Sequence, residues 1–516
     1  MPLGSSAMRT SHAPPLLGAL LAIVCAQPAA GQQTFGTLVV VEAGPIPANP
    51  SPLSAETAAE WRFVELVYAP LYAAMTAPTA TATVEPVLAK GVAVEDSGKR
   101  LLVSLREDAR WSNGQDVTAA DVVYTYELAR TGKWNRAWIQ RLAQVSSVKR
   151  ADDGLQVIFE LSEAVREPER LLTVPLVPRS LHGPLDSPDL LRPQPYSAIG
   201  AGPFAVHTGG APGVLQANAE AIRKPRISEV QIISAGSRSL AADYVRMVGE
   251  SVTFDLDPAD AALARTEFGA RRIELPRRRI VAIAFAKVGS RLAEPVVRRA
   301  FDRLVDRAEL FSTGEGMAPT LAPVDPASPI YPRGLAMPTR DPAEAANLLR
   351  GAGWNREGSW LARKADNGSI EELSIALVID ADDAAGIRRV RVIEERLREA
   401  GIKLEVDPRP RYEFLSRVGS RKFPAALITL EIGPDGSLAS AFHSRGADNI
   451  TNLASPEIDR ALEAGDLAGA VGLIVAADQV VFLGTGPVVG AVGRNVQAGS
   501  VTGMGGLMRV DKWVVK

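Results

Sequence analysis

The chain has 516 residues, 46% of them hydrophobic and 22% charged, a composition that places it among folded globular proteins and excludes disordered and fibrous classes. One domain typically takes about 100 to 200 residues, so at least two separately packed cores are expected. The 57 basic and 59 acidic residues leave a formal net charge of -2 and are interspersed without a long basic block, which argues against a nucleic-acid partner.

The N-terminus carries Arg9, an apolar run from Leu16 to Ala26 and then small residues. That order reads as a secretory signal peptide over residues 1–31 and predicts a periplasmic protein. Cleavage fits after Val24-Cys25-Ala26 or after Ala29-Ala30-Gly31, and the residues do not choose between them. A second reading makes Cys25 the acylated N-terminus of a lipoprotein; Val24 fits that poorly, because a small residue is wanted directly before the cysteine. Cys25 is the single cysteine, so the mature chain would have no disulfide, no thiolate nucleophile and no cysteine-ligated metal.

Further along, Gly36 to Glu42, Leu101 to Leu105 and Leu155 to Leu161 read as strands, each rich in β-branched or aliphatic residues, and the last two as neighbours in a small sheet. Thr118 to Asp121 resembles a capping box ahead of a helix over Val122 to Arg130, with the threonine hydroxyl and the aspartate each placed to satisfy free amides. Ile280 to Phe285 is a continuous apolar run that predicts a strand buried on both faces. Pro295 opens a helix in which Val297, Ala300, Phe301, Leu304 and Val305 share one side. Asp341, Pro342 and Glu344 start another that ends near Gly351 or Gly353. Ile387 to Ala400, closed by Gly401, is followed by an alternating strand over Ile402 to Val406. Leu467 to Gly493 is apolar enough to raise a membrane span, but Asp478, Gln479, several glycines and Pro487 favour a buried helix and a core strand. No fixed-period repeat interrupts this alternation, which points to open α/β sheets with a ligand crevice beyond the carboxyl ends of strands.

Several of these stretches, kept in order, resemble family 5 of the extracellular solute-binding proteins, the receptors of peptide and nickel ABC transporters. They are Val67-Tyr68-Ala69-Pro70-Leu71, Leu88-Ala89, Arg110 to Gly114 after the Leu101 strand, Thr118 to Val122, Ile199 to Phe204, Arg298 to Arg307, Asp341 to Trp354, and Asn449 to Leu453 with Pro456 to Asp459. The resemblance implies a two-lobed, periplasmic-binding-protein-like flytrap fold. Lobe I would take residues 32–277 and 481–516, with an extra subdomain over about 50–190, and lobe II residues 278–480. It further implies a monomer that captures a peptide or similar polar solute and docks on an inner-membrane ABC permease. A binding protein that has lost its permease and acts as a sensor or carrier is the alternative, and an exported hydrolase a third reading.

Departures from the family pattern bear on the ligand. Phe423-Pro424 and Leu427 to Glu431 stand where a Phe-Asp pair and then a tryptophan and aspartate are usual, and the stretch after Asp459 is short and rich in glycine and alanine. By resemblance, Glu431 or Asp435 would take the place of the acid that neutralises a ligand's amino group, with Tyr412 flanking the ligand and Arg417 near the family's cationic position. A solvated turn over Glu431 to Gly436 and a core tyrosine at Tyr412 are the competing readings. Trp111, Asn113 and Gly114 read as an aromatic packed beneath a tight turn, and Gly200 to Pro203 as a turn. His12, His182, His207 and His443 are scattered without any metal-ligand spacing, so no metal site or cofactor is expected, although His443 could face a metal chelate in the cleft. No nucleophile elbow, phosphate loop or dinucleotide fingerprint is present, so no catalytic residue is assigned.

Overall fold

The computed structural model describes residues 36–516 except 47–49, 56, 76–82, 132–137, 140–141, 166, 183–197, 208–209, 257–268, 287–288, 313–315, 366, 433–437, 447–448 and 452. The signal-peptide segment, Cys25 and Asp435 therefore lie outside the described residues.

The chain begins with β1 (Thr37–Glu42) and α1 (Ala58–Val67). A small antiparallel sheet follows, built from β2 (Ala89–Glu95), β3 (Arg100–Leu105), β4 (Val145–Arg150) and β5 (Gln156–Leu161), with α2 (Ala119–Thr131) between its strands. β3 pairs with β5, as their composition predicts. Next come β6 (Glu229–Ser234), α3 (Arg238–Met247), β7 (Ser251–Leu256) and the long β8 (Arg271–Phe285). The chain then forms α4 (Pro295–Leu304), α5 (Pro342–Gly351), β9 (Trp360–Lys364), β10 (Ser374–Asp380), α6 (Ala384–Glu399) and β11 (Lys403–Arg409). It ends through α7 (Arg411–Gly419), β12 (Ala425–Ile432), α8 (Pro456–Glu463), α9 (Leu467–Ala476) and β13 (Val480–Val492).

One large sheet runs through the molecule in the order β11-β10-β12-β8-β13-β7-β1-β6, extended by two short strands. β1 is parallel to β6 and β7, and β10 is parallel to β11 and β12. The two long strands β8 and β13 join these parallel sets and change partners partway along. Arg271 to Glu274 pair with Val492 to Val489, where β7 covers the other edge of β13; Arg278 to Ala284 pair with Pro487 to Val480, where β12 covers the other edge of β8. The register slips between Glu274 and Arg278, which makes a bulge where the partners change.

Packing divides at the same place. Two buried apolar clusters draw only on residues up to Leu275 and from Val488 onward, and two others only on residues from Ile280 to Leu483. Ile280, Ala282 and Ala284 point into one of the latter clusters, and Val281, Ile283 and Phe285 into the other. This is the covered-on-both-faces strand that the apolar run predicts.

Helix starts follow their capping residues, with one difference. Asp341 accepts from the Glu344 N–H (2.9 Å) with Pro342 in the first turn, and Asp383 caps α6 through the Gly386 N–H (2.9 Å). At α2 only the aspartate half of the box forms: Asp121 accepts from the Thr118 N–H (2.9 Å), while the Thr118 hydroxyl donates to the same carboxylate (2.7 Å) instead of receiving an amide. Leu467 to Gly493 folds as α9 and β13, and Asp478 between them accepts from Arg298 Nε (2.9 Å). Among the described residues no helix is long and apolar enough to cross a membrane. Trp111 is buried beneath the Asn113-Gly114 turn, and the Ser112 N–H donates to Gly200 O (2.9 Å), tying that turn to the glycine-proline turn. A Cβ at Gly200 would fall 1.9 Å from the Val67 carbonyl oxygen, so only glycine fits there. Both motifs are thus architectural.

Candidate functional site

Charged side chains gather where parallel strands end. Glu42 is the last residue of β1; Arg238 opens α3 just after β6; Asp255 lies near the end of β7; Glu431 lies near the end of β12; and Asp383 caps the helix that follows β10. The carboxyl ends of strands in open α/β sheets are where ligand crevices form, because the chain diverges there to opposite faces. Arg279 joins them from β8, directly opposite Glu431 in the β8–β12 register.

These groups are mutually paired. Arg238 donates to Asp255 (Nη2–Oδ2 2.7 Å), and Arg279 donates to the other oxygen of the same carboxylate. Arg279 also lies 4.0 Å from Glu431 Oε1. Asp255, with attraction from Glu431 and Asp383 as well, holds the Arg238 guanidinium above its ordinary pKa against the cost of burial. Arg279 is only 10% exposed and Glu431 25%, so water screens their attraction only in part. Asp255 reaches both arginines from a left-handed backbone (φ 59), at an irregularity in the β7–β13 pairing. Aspartate tolerates that conformation better than most side chains, and a bulge re-aims the residue it carries.

A second pair, Arg62 and Glu42, lies close enough to this cluster for Asp255 to act on its arginine. Arg62 of α1 donates through Nε to Glu42 (2.6 Å) and again through Nη2, and its guanidinium lies 4.8 Å over the Phe254 ring. Both side chains are at most 5% exposed. Burial works against charge on Arg62, but Glu42, aided by Asp255 and Glu65, more than offsets it and holds the pKa above the usual arginine range. Glu65, one helical turn on, receives the N–H groups of Gly505 (2.7 Å) and Leu507 (2.8 Å), which anchors the segment after β13 to α1.

Of the residues singled out from the sequence, Glu431 falls in this cluster. Tyr412 stands 72% exposed on α7 and donates to Glu413 (3.0 Å), and Arg417 on the same helix donates to Asp407 (3.2 Å); neither is among the groups gathered around Asp255. His443 is buried, with Nδ1 receiving the Arg445 N–H (3.1 Å) and Nε2 3.1 Å from Glu463, so it fixes α8 and does not face a chelate. Among the described residues no cluster of histidine and acidic groups could hold a metal ion. Arg238, Asp255 and Arg279 escape sequence reasoning. The one local signal is Gly236-Ser237-Arg238 after a strand, a helix start that offers an arginine to a crevice.

The sequence profile described as bacterial extracellular solute-binding proteins, family 5, middle, matches residues 83–449. The chain belongs to this family. The family 5 match includes Arg238, Asp255, Arg279 and Glu431, and leaves Glu42 and β13 outside it. Among relatives, Protein XP55 of Streptomyces lividans is 28% identical over 396 residues, covering 74% of this chain and 70% of that protein. A Brucella ovis protein named as an ABC transporter peptide-binding protein is 24% identical over 371 residues, 69% of this chain and 68% of its own. The oligopeptide-binding protein AppA of Bacillus subtilis, solved with a nonapeptide, superposes with a TM-score of 0.74 at 18% identity, over 94% of this chain and 99% of that one. NikZ of Campylobacter jejuni, solved with Ni(L-His), gives 0.75 at 18% identity, over 93% and 99%. The family 5 fold, a mixed α/β molecule of two lobes, is therefore the fold of this chain.

Proposed function

We propose that this family 5 protein captures a small charged solute, a peptide or a similar polar molecule, between its two lobes and delivers it to an ABC permease without altering it. The carrying observation is the Arg238-Asp255-Arg279-Glu431 cluster, in which Arg238 and Asp255 at the ends of one parallel set meet Glu431 from the other through Arg279 of the connecting strand β8. Two cations and two carboxylates at one crevice can exchange their mutual pairing for the ends of a ligand that carries both charges. Supporting the transport reading are the Brucella ovis relative and the nonapeptide bound in AppA.

The lobes in this reading are residues 32–277 with the chain from Val488 onward, and residues 278–487, which moves the return to lobe I from 481, expected from the sequence, to about Pro487, where the cores divide. Residues 1–31 direct export and are removed, and the mature protein works as a periplasmic monomer. The test begins with mass spectrometry of whatever the purified protein releases on denaturation. With that solute, small-angle scattering is expected to give a smaller radius of gyration, because a crevice between lobes closes on what it holds. An unchanged profile at saturation would rule out closure.

Glu431 is the member of the cluster that we propose meets a cationic group of the ligand. Calorimetry on Glu431→Gln is expected to show at least about tenfold weaker binding, a loss of about 1.4 kcal/mol. Affinity equal to that of the unaltered protein would assign Glu431 to Arg279 alone and point to a ligand without a free amino group.

A further inference from the structure

Away from the charged crevice, a cavity of about 310 Å³ opens between α5, the C-terminal end of α6 and β9. Its floor is apolar: Leu304, Leu349 and Trp354 line it and are each 1% exposed. The Trp354 indole is clamped by Arg363 (4.2 Å from the ring centroid) and Arg291 (5.4 Å), and its Nε1 is buried with no hydrogen-bond partner among the described residues.

The rim is cationic. Two of its arginines are neutralised within the protein, Arg340 by Glu399 (2.9 Å) and Arg396 by Glu309 (2.6 Å) and Glu399 (3.0 Å). The other two are not. Arg350 donates to the neutral Asn347 side chain (3.1 Å), and Arg356 makes long bonds to the carbonyls of Glu399 (3.4 Å) and Ser359 (3.3 Å). An apolar floor of this volume under two guanidiniums that have no carboxylate partner among the described residues is complementary to a molecule with an apolar body and one anionic end.

We infer that this cavity is a second ligand site, separate from the crevice around Asp255, for a small organic monocarboxylate. The carboxylate meets Arg350 and Arg356, and the hydrocarbon lies on Leu304, Leu349 and Trp354. Because both arginines are exposed, the charged contact weakens with salt while the apolar contact does not.

Calorimetric titration with octanoate and with octan-1-ol tests this. Octanoate is expected to bind at least about tenfold more tightly than the alcohol, and an Arg350→Gln/Arg356→Gln variant to remove that preference while leaving the alcohol unaffected. Ala346→Trp, which crowds the lining, is expected to abolish both isotherms with an unchanged thermal midpoint, whereas Glu431→Gln leaves the octanoate isotherm as it was. No octanoate binding up to about 10 mM, equal binding of acid and alcohol, or an octanoate isotherm that responds to Glu431→Gln and not to the arginine pair would each overturn the proposal.

Discussion

Glu42→Gln is expected to destabilise the protein by about 3 kcal/mol, read as a lower urea midpoint at unchanged slope. The substitution keeps the shape of the side chain but strands the Arg62 charge at 5% exposure, against Phe254 and behind Glu65. Arg62 Nη1 already lacks a partner, so no spare acceptor stands ready to take over. Removing both members in Glu42→Gln/Arg62→Met should recover much of the loss, because the cost comes from an uncompensated charge and not from a missing attraction. A single-variant loss below about 1 kcal/mol would mean that Asp255 and Glu65 carry Arg62 by themselves.

Asp255→Asn should lower stability by about 2 kcal/mol, less than Glu42→Gln because the Asp255 side chain is 27% exposed and solvent screens part of the interaction. Asparagine tolerates the same left-handed backbone, so the change isolates the charge. Without it, Arg238 and Arg279 face each other with no carboxylate between them, and Arg279 retains Glu431 at 4.0 Å. The expected signature includes stronger salt dependence than in the unaltered protein, since added ions relieve repulsion between the two guanidiniums. A midpoint within error of the unaltered protein at low salt would show that Glu431 and Asp383 balance both cations without Asp255.

Local chemistry made much of the fold legible. The cap at Asp341, the double-faced Ile280 to Phe285 run and the paired strands around Leu101 and Leu155 are decided by near neighbours in sequence, and they form where those neighbours say. The crevice was mostly illegible, because Glu42, Arg238, Asp255, Arg279 and Glu431 meet only after the whole sheet is assembled. Nothing in the hydrophobic pattern marks Asp255, whose reach depends on an irregularity in strand pairing. On α7 the pattern is ambiguous: Tyr412, Phe414, Leu415 and Val418 are all candidates for the inner face. Phe414 and Val418, four apart, take it, which leaves Tyr412 and Leu415 outside.

The partner exchange along β8 and β13 also makes the first-begun half depend on the last part of the chain. The slot between β7 and the first part of β8 is filled by residues 489–492, and α1 is clamped by the amides of Gly505 and Leu507. Both lie downstream of every residue in the two clusters spanning Ile280 to Leu483. Along the chain, the second-begun core is therefore complete before the strand that closes the first is reached. Until then β7 has a bare edge and Glu65 has no amides to receive, so the half of the molecule made earliest is the half that depends on waiting, and on whatever keeps its open edge from pairing with another chain.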